Sequence, residues 1–475
     1  MIKMKRTKIV ATIGPSSSSK EVLRNMINSG MNVCRVNFSH GAYEDHEKVV
    51  KVIRELNDEL NTNVAILADL QGPKIRTGLM QEGGVHLEVG AKVLVQTDDI
   101  LGKEGMFSIN YNRLPADVKK GEFILLDDGK LMLEVEHTDG KKQITCKVIQ
   151  GGILSSRKGV NFPNTRISMP SLTEKDILDL QFAIDQDVDW IGLSFVRSAR
   201  DIIDLKQRIS KAGGKAKVIA KIEKPEALEC IDDIISETDG LMVARGDLGV
   251  EIPYQKVPLT QKMLINKGIQ YAKPVIVATQ MMESMITQMS PTRAEVNDVA
   301  NAVLDGADAV MLSGETSVGN YPVEVINAMA KIIKEMESDK TIYYKEEPPE
   351  KNQERFISDS ICYNACRLAQ RVEVNAIITM SFSGYTAYKI ASQRPSACIY
   401  IFTSNRKILT QLNLVWGVKA FYYNKQISTD HTIADIKYIM KSSGHLVKGD
   451  LIINIASIPL EDLGSSNMLK LSHVD

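Results

Sequence analysis

Residues 217–249 read KVIAKIEKPEALECIDDIISETDGLMVARGDLG, and this stretch contains the pattern that decides the fold. Two short runs rich in apolar and β-branched residues, 217–222 and 240–244, stand on either side of a segment with helical composition. Neither run shows the strict polar alternation of a half-exposed strand. Nearly continuous apolar strands separated by helices indicate a parallel sheet that is covered on both faces.

The same strand and helix unit recurs along the first 340 residues, with one interruption. The eight predicted strands are residues 7–13, 32–38, 64–70, 190–196, 217–222, 240–244, 274–279 and 307–312. Helix-start patterns lie between them, since Thr292 with Glu295 and Ser171 with Glu174 fit capping boxes, and Pro322 suits a first helical turn. Eight such units in succession favour an α/β fold with a closed (β/α)8 barrel, or TIM barrel, over an open doubly wound sheet.

The interruption replaces these units with strict alternation of apolar and polar residues. Residues 85–89, 131–135 and 143–148 alternate in this way, and Asp128-Gly129 is a turn signal. We therefore expect a small all-β domain inserted in a loop of the barrel. Because active sites lie on the face formed by such loops, the inserted domain is expected to act as a lid.

A charged segment with two prolines follows the repeats and is typical of a linker. Beyond it, predicted strands 376–380, 398–402, 418–422 and 451–455 alternate with helical stretches and indicate a separate C-terminal α/β domain. The expected division is residues 1–70 and 169–340 for the barrel, 71–168 for the lid domain, 341–355 for the linker and 356–475 for the C-terminal domain.

The composition argues against several functional classes. In the 475 residues, 58 Lys plus Arg against 59 Asp plus Glu leave a formal charge of -1, so no global field favours nucleic acid or an anionic membrane. No apolar run approaches the roughly 18 residues of a membrane span, and we expect a cytoplasmic protein. The six cysteines are scattered without a CxxC spacing, which indicates buried free thiols and not a metal site.

Ionisable side chains cluster just after the predicted barrel strands, where packing does not require them. Glu223 and Asp247 end neighbouring strands, and two carboxylates suit one Mg2+ that keeps water and substrate oxygens as its other ligands. Structural ion pairs, for example Glu223 with Lys224, are the alternative. Lys221 has the spacing that puts it on the same strand face as Glu223, so an ammonium group and a metal could share one pocket.

Two further features near the strand ends leave alternatives open. The glycine-punctuated turn at Arg245-Gly246-Asp247 could offer backbone N–H groups to a carboxylate, or it could be only a tight turn. His40 is the only histidine near these strand ends, and we do not assign it as a proton carrier. No GxGxxG, Walker A or Ser-His-Asp pattern is present, which disfavours nucleotide-dependent hydride transfer and serine acyl transfer.

Several separated motifs closely resemble those of the pyruvate kinase family, and the likeness runs almost from end to end. The motifs are residues 7–15 (TKIVATIGP), 31–41 (MNVCRVNFSHG), 221–223 (KIE), 242–253 (MVARGDLGVEIP), 278–285 (ATQMMESM) and 464–470 (GSSNMLK). The resemblance implies a phosphotransferase of glycolysis that moves the phosphoryl group of phosphoenolpyruvate to ADP, giving pyruvate and ATP.

By matching position, the resemblance also implies roles for individual residues. The catalytic set is Lys221 at the transferring phosphoryl group, Arg35 as a phosphate contact and Thr279 near proton delivery to the enolate. The substrate contacts are Ser194, Ala244, Arg245, Gly246, Asp247 and Thr279, and the ligands of Mg2+ or Mn2+ are Glu223 and Asp247. The positions around the nucleotide are Thr12, Pro15, Asn37, His40, Arg76 and Lys158.

One departure from the family bears on the monovalent cation. Potassium-dependent members carry Thr and Glu where this chain has Leu70 and Lys74. The ammonium of Lys74 is expected to replace the ion that Asn37, Ser39 and Asp69 otherwise help to bind, so we expect activity without K+. The alternative is that Lys74 points into solvent.

The C-terminal domain of this family often holds an effector, which here would be a sugar phosphate or AMP. The matching turn offers Thr379, Ser381, Ser383, Gly384 and Thr386, and hydroxyls with a glycine between strand and helix make a plausible phosphate site. An ordinary strand-to-helix cap is the alternative. Phe382 and Tyr385 depart from the commoner pattern and leave the identity of the effector open. The resemblance also implies a homotetramer.

Two other functions compete with the kinase. One is a Mg2+-dependent barrel that acts on phosphoenolpyruvate or a 2-oxo acid as a lyase or mutase, which would not need the nucleotide-side residues Arg76 and Lys158. The other is a catalytically silent sugar-phosphate sensor, which would be expected to have lost Lys221, Glu223 or Asp247.

Overall fold

The computed structural model describes residues 5–352, 354–425, 428–458 and 466–475. Gly464 and Ser465, which begin the last motif quoted above, lie outside the described residues. The chain opens with three short strands separated by helices. These elements are β1 (Lys8–Thr12), α1 (Lys20–Ser29), β2 (Val33–Asn37), α2 (Tyr43–Leu60) and β3 (Ala65–Asp69).

An all-β segment follows β3. Its elements are β4 (Val85–Leu87), β5 (Lys92–Gln96), β6 (Met106–Ser108), α3 (Leu114–Asp117), β7 (Phe123–Leu126), β8 (Leu131–Thr138), β9 (Gln143–Gln150), β10 (Gly152–Leu154) and β11 (Val160–Asn161). A six-stranded sheet has the order β11-β7-β8-β9-β5-β6, and β10 pairs with β4. Alternate residues of β8 are buried, as the period of two in the sequence predicts. The buried side chains of this segment, such as Phe107 and Leu133, form a cluster of their own.

Alternating helices and strands then resume. They are α4 (Glu174–Asp185), β12 (Trp190–Leu193), α5 (Ala199–Lys211), β13 (Lys217–Ile222), α6 (Pro225–Glu229), α7 (Ile231–Glu237), β14 (Gly240–Ala244), α8 (Arg245–Glu251), α9 (Val257–Gln270), β15 (Val275–Ala278), α10 (Arg293–Asp305), β16 (Ala309–Leu312), α11 (Gly314–Ser317) and α12 (Pro322–Met336). Short 3-10 turns cover Tyr254–Lys256, Glu283–Ile286 and Lys340–Ile342.

The eight parallel strands close into a barrel with the order β1-β16-β15-β14-β13-β12-β3-β2. Because β1 pairs with both β2 and β16, the sheet has no free edge. This closure confirms the predicted barrel and excludes the open sheet. All carboxyl ends of the strands therefore meet at one face, and the residues that follow them are brought together.

One predicted helix start is right and another is wrong. Thr292 caps α10 and accepts a hydrogen bond from the backbone of Glu295, as the capping-box pattern predicts. The pattern at Ser171 is wrong, because α4 is capped by Thr173 with Asp176. The sequence fits a capping box at Ser171 and at Thr173 equally well. The hydroxyl of Ser171 instead donates a hydrogen bond to the carboxylate of Asp201, in the first turn of α5.

The C-terminal part is a five-stranded sheet with helices. Its elements are α13 (Phe356–Arg371), β17 (Ala376–Met380), α14 (Tyr385–Ser392), β18 (Cys398–Thr403), α15 (Arg406–Gln411), a 3-10 turn at Leu412–Leu414, β19 (Val418–Tyr422), α16 (Thr429–Ser442), β20 (Leu451–Ala456) and β21 (Met468–His473). The strand order is β19-β18-β17-β20-β21, and β21 alone runs antiparallel to its neighbour. The four predicted strands are present, and β21 was not predicted.

This C-terminal sheet packs against the amino-terminal end of the barrel. The indole N–H of Trp190 donates to the carbonyl of Gln411 at 3.3 Å, and the buried Arg394 pairs with Asp308 at 2.9 Å. The ammonium of Lys8 donates to the carbonyl of Val418 at 2.8 Å. The all-β segment is inserted at the opposite face of the barrel, after the carboxyl end of β3.

No helix within the described part of the chain is both long and apolar enough to cross a bilayer. The six cysteines form no disulfide; Cys34, Cys146, Cys362 and Cys366 are buried, while Cys230 and Cys398 are half-buried.

The buried Lys8 yields a prediction about pH. Burial lowers the pKa of Lys8 from 10.5 to about 8, so above pH 8 the unfolded chain holds a proton that the folded chain has released. The free energy of unfolding should therefore rise with pH in this range for the parent, and this contribution should be missing in Lys8→Met. Urea unfolding at pH 7.5, 8.5 and 9.5 measures it. Substitution of the exposed Lys51 by Met is the control, and an equal pH dependence of the parent and Lys8→Met would contradict the prediction.

Candidate active site

Three buried charges form the centre of the barrel face. The guanidinium of Arg35, on β2, donates from Nε to Asp69 Oδ2 at 2.7 Å, and Lys221 Nζ, on β13, lies 3.1 Å from Asp69 Oδ1. Burial opposes the charge of Asp69, but Lys221 and Arg35 outweigh it and hold the pKa of this carboxyl below its usual value. Thr12, on β1, accepts a hydrogen bond from Arg35 Nη1 at 2.8 Å and fixes the guanidinium from the other side.

The Lys221 ammonium has three oxygen partners. Besides Asp69, it donates to Ser194 Oγ at 2.6 Å and lies 3.1 Å from Glu223 Oε1. Burial alone would lower the pKa of Lys221, but Asp69 and Glu223 outweigh it and leave that pKa raised. The three oxygens therefore hold the ammonium in one place.

Glu223 is fixed at its other oxygen by the backbone. Oε2 accepts the N–H of Phe195 at 2.7 Å, and Phe195 has a positive φ of 54°, which turns this N–H towards the carboxylate. Burial raises the pKa of the Glu223 carboxyl; Lys221 opposes the rise, and Asp247 adds to it. The alternative pair of Glu223 with Lys224 is absent, because Lys224 binds Glu251 instead.

Glu223 and Asp247 fit a divalent cation. They follow the neighbouring strands β13 and β14. Burial raises the pKa of the Glu223 carboxyl and the charge of Asp247 adds to the rise, a repulsion that a cation between the two groups would relieve. No three His, Cys, Asp or Glu side chains of the described residues cluster around a common point suited to a metal. If a divalent ion binds here, Glu223 and Asp247 would hold it, and substrate oxygens and water would complete its ligands.

The strand β15 ends in a strained turn. Thr279 has a φ of 71° and Gln280 a φ of 53°, and left-handed backbone is costly for a β-branched residue. Thr279 Oγ1 accepts the N–H of Gly246 at 2.8 Å and donates to the carbonyl of Ala278 at 2.6 Å. The strain thus places a hydroxyl against the turn that carries Asp247.

Arg245 points away from this centre. Its guanidinium pairs with Asp298 at 2.6 Å and donates to the carbonyl of Thr279 at 2.6 Å. Arg245 therefore supports the turns after β14 and β15 through its side chain.

Known proteins resemble this chain in both sequence and structure. Residues 4–326 match the family described as pyruvate kinase, barrel domain, and residues 359–472 match pyruvate kinase, alpha/beta domain. The chain is 41% identical over 469 residues to a pyruvate kinase of Staphylococcus aureus strain MRSA252, covering 98% of this chain and 80% of that protein. The crystal structure of a pyruvate kinase from Cryptosporidium parvum matches with a TM-score of 0.91 and 35% identity, covering 99% of this chain and 96% of that chain.

The chain belongs to the pyruvate kinase family. This confirms the resemblance seen in the motifs and the expected class of enzyme, a phosphotransferase.

The residues expected near the nucleotide fall into two groups. Pro15 and His40 lie in the turns after β1 and β2, Asn37 is the last residue of β2, and Thr12 is buried beneath Arg35. The second group, Arg76 and Lys158, lies in the all-β segment, where Thr77 N donates to the carbonyl of Lys158 at 2.9 Å. Lys158 Nζ is held by Asp127 at 2.9 Å. The barrel and the all-β segment each carry part of the expected nucleotide site.

The expected monovalent-cation pocket is only partly assembled. Asn37 and Asp69 are paired neighbours on β2 and β3, and Asn37 Oδ1 accepts the N–H of Ser39 at 3.1 Å. The carboxylate of Asp69, however, faces Arg35 and Lys221. Lys74 is half-buried in the cleft between the barrel and the all-β segment, and it forms no ion pair with any residue that the structure describes.

The turn expected to bind an effector joins β17 to α14. Ser381 Oγ accepts the N–H of Gly384 at 3.0 Å, and Gly384 has a φ of 82°, which only glycine adopts without strain. Ser383 Oγ accepts the N–H of Tyr385 at 3.4 Å. Thr379 is buried at the end of β17, and Thr386 Oγ1 lies 3.1 Å from Ser466 Oγ. The five residues are therefore grouped around one turn.

Sequence reasoning missed several residues that shape the site. Phe195, Glu251 and Asp298 hold Glu223, Lys224 and Arg245, as described above. Only Glu251 had a usable signal, because it lies four residues after Asp247 and therefore one helical turn away on the same face.

The shared carboxylate of Asp69 yields a prediction about stability. Asp69→Asn would leave Arg35 and Lys221 as buried neighbours without their common anion, and the free energy of unfolding should fall by about 3 kcal/mol. Urea denaturation measures this change. Glu59→Gln is the matched control, because Glu59 also joins two cations, Lys20 and Arg24, but at the surface. Equal losses in the two variants would show that burial is not the cause.

Proposed function

We propose that this protein transfers the phosphoryl group of phosphoenolpyruvate to ADP, giving pyruvate and ATP, at the carboxyl ends of the barrel strands. The supporting observation is the buried array of Arg35, Asp69, Lys221 and Glu223 beside Asp247. Phosphoryl transfer needs mainly positioning and positive charge around the equatorial oxygens, and this array provides two fixed cations.

Lys221 and Arg35 act on the phosphoryl group. Lys221 is restrained by three oxygens and Arg35 by Asp69 and Thr12, so neither cation has to reorganise as negative charge develops. The two cations hold the equatorial oxygens while the bond from phosphorus to the enol oxygen breaks and the bond to the terminal oxygen of ADP forms. Ser194 Oγ, which accepts a hydrogen bond from the Lys221 ammonium, fixes the direction of that group.

Glu223 and Asp247 would hold the divalent cation, Mg2+ or Mn2+. When bound, such an ion neutralises charge on the phosphoryl oxygens and on the developing enolate. The backbone of Ala244, Arg245 and Gly246 lies beside Asp247 and would contact the substrate carboxylate. Thr279 Oγ1 accepts the Gly246 N–H and would lie near the carbon of the enolate that takes up a proton to become the methyl group of pyruvate.

The nucleotide would bind between the barrel and the all-β segment. Pro15, Asn37 and His40 contact it from the barrel, with Thr12 beneath them, and Arg76 and Lys158 contact it from the lid. Lid closure excludes water that would otherwise accept the phosphoryl group. We retain residues 1–70 and 169–340 as the barrel domain, 71–168 as the lid, 341–355 as the linker and 356–475 as the C-terminal domain.

The remaining parts of the proposal follow the family. A sugar phosphate or AMP would bind the turn that contains Thr379, Ser381, Ser383, Gly384 and Thr386, and the enzyme would act as a cytoplasmic homotetramer. A lyase or mutase would have no use for Arg76 and Lys158 on a lid, and a silent sensor would not need Lys221, Glu223 and Asp247 together. The kinase reaction accounts for all five side chains.

Removing the Lys221 ammonium should abolish most of the activity. Lys221→Met takes away a preorganised charge, so turnover should fall by on the order of 10³ or more. Release of pyruvate that depends on ADP, coupled to lactate dehydrogenase, measures turnover, and Mn2+ titration followed by electron paramagnetic resonance should show that metal binding persists. Lys217→Met, at the other end of β13, is the control. Turnover of Lys221→Met within tenfold of the parent would remove the proposed role.

Activity should not require K+. We propose that the Lys74 ammonium serves in place of the monovalent ion beside Asn37, Ser39 and Asp69. The parent should therefore be active in tetramethylammonium buffer, and added K+ should not increase its turnover. The double variant Leu70→Thr/Lys74→Glu, which restores the residues of potassium-dependent members, should gain a requirement for K+. Strong activation of the parent by K+ would contradict the proposal.

A further inference from the structure

A buried carboxylate outside the proposed reaction chemistry joins the lid to the barrel. Glu251 is the last residue of α8, and its side chain is 1% exposed. Its Oε1 accepts a hydrogen bond from Asn161 Nδ2 at 2.8 Å and pairs with the ammonium of Lys224. Oε2 has no hydrogen-bond partner among the described residues. A buried carboxylate with so few partners depends strongly on each of them.

The two partners of Glu251 come from different parts of the chain. Asn161 belongs to β11 of the all-β segment, whereas Lys224 follows Glu223 on the barrel. The Asp128-Gly129 turn packs beside this contact, since a Cβ at Gly129 would lie 3.7 Å from Val250 Cγ1. One of the places where the lid meets the barrel is thus a small buried contact centred on the Glu251 carboxylate.

The same lid strand is tied to the expected nucleotide contacts. Asn161 pairs with Leu125 on β7, two residues before Asp127, and Asp127 holds the ammonium of Lys158. The position of β11 against α8 therefore sets the distance between Lys158 on the lid and the phosphoryl-transfer residues on the barrel.

We propose that Glu251 is a positioning residue that docks the lid: by holding Asn161, its carboxylate keeps the lid-borne nucleotide contacts over the barrel-borne site. This inference rests on the proposed function for its kinetic consequence, but the docking itself does not. Loss of the contact should weaken ADP binding, because Arg76 and Lys158 lie on the lid. Phosphoenolpyruvate binding should change little, because its proposed contacts all lie on the barrel.

A second contact between the lid and the barrel gives a matched control. Arg166 and Glu229 pair at 3.1 Å, but their side chains are 81% and 65% exposed. An exposed ion pair contributes little, so Arg166→Ala should leave lid docking as in the parent. Comparing a variant of the buried Glu251 contact with Arg166→Ala therefore shows whether burial matters, or whether loss of any contact between the lid and the barrel has the same effect.

The test uses Asn161→Asp in the full-length protein. This substitution keeps the size of the side chain but places a carboxylate against Glu251, and amide hydrogen exchange in residues 156–169, measured without substrates or metal, should rise by about tenfold. In steady-state assays, KM for ADP should rise by about tenfold, whereas KM for phosphoenolpyruvate and kcat should stay within about threefold of the parent. Arg166→Ala should change none of these quantities.

Two results would overturn the inference. One is parental exchange in residues 156–169 of Asn161→Asp, and the other is a rise in exchange that Arg166→Ala reproduces. If Asn161→Asp also raises exchange in β13 and β14, Asn161→Ala, which adds no charge, is judged by the same criteria. The exchange measurement needs no catalysis, so a failure of docking is distinguishable from a failure of the proposed reaction, which would appear as an inactive parent in the coupled assay.

Discussion

The structure depends on one balance of charge, the Asp69 carboxylate between Arg35 and Lys221. Two cations next to each other in a buried site repel and lose their hydration, so they persist only with an anion that is equally buried. Asp69 supplies this anion from a third strand. The charges of the two cations are therefore balanced within the protein itself. Glu223 extends the arrangement, because it neutralises Lys221 on one side and faces Asp247 on the other.

The closed barrel is what makes this balance possible. The residues concerned come from β2, β3 and β13, which are far apart in the chain but end at the same face. Backbone details complete the placement. Positive φ angles at Phe195 and Thr279 direct an N–H to Glu223 and a hydroxyl to Gly246, and such strained residues are held by the structure around them. The scaffold is regular, and the irregularities lie where the proposed chemistry takes place.

The sequence predicted the repeating elements better than the details between them. Continuous apolar runs indicate buried parallel strands, and all eight barrel strands were found from them. The hydrophobic period and the composition do not reveal which of two neighbouring residues caps a helix or which of two nearby carboxylates a cation binds. Thr173 and not Ser171 caps α4, Lys224 binds Glu251 and not Glu223, and Arg245 turns towards Asp298. The strand β21 was missed because its residues, Met468 to His473, alternate weakly and its pairing with β20 is formed across a long connection. The roles assigned to the site residues stay predictions.

The seam between the barrel and the C-terminal sheet contains the tryptophans of the chain, so its packing can be followed by their fluorescence. The chain contains two tryptophans, and both lie at this seam: Trp190 binds the carbonyl of Gln411, and the backbone N–H of Trp416 binds Asp308. Tryptophan fluorescence therefore reports on this junction without any label, and no tryptophan lies in the all-β segment, residues 71–168. In a variant that keeps no tryptophan at this seam, a single tryptophan introduced into the all-β segment would report on movements of that segment. Motions at the two ends of the barrel can then be measured separately, one in the parent and one in the variant.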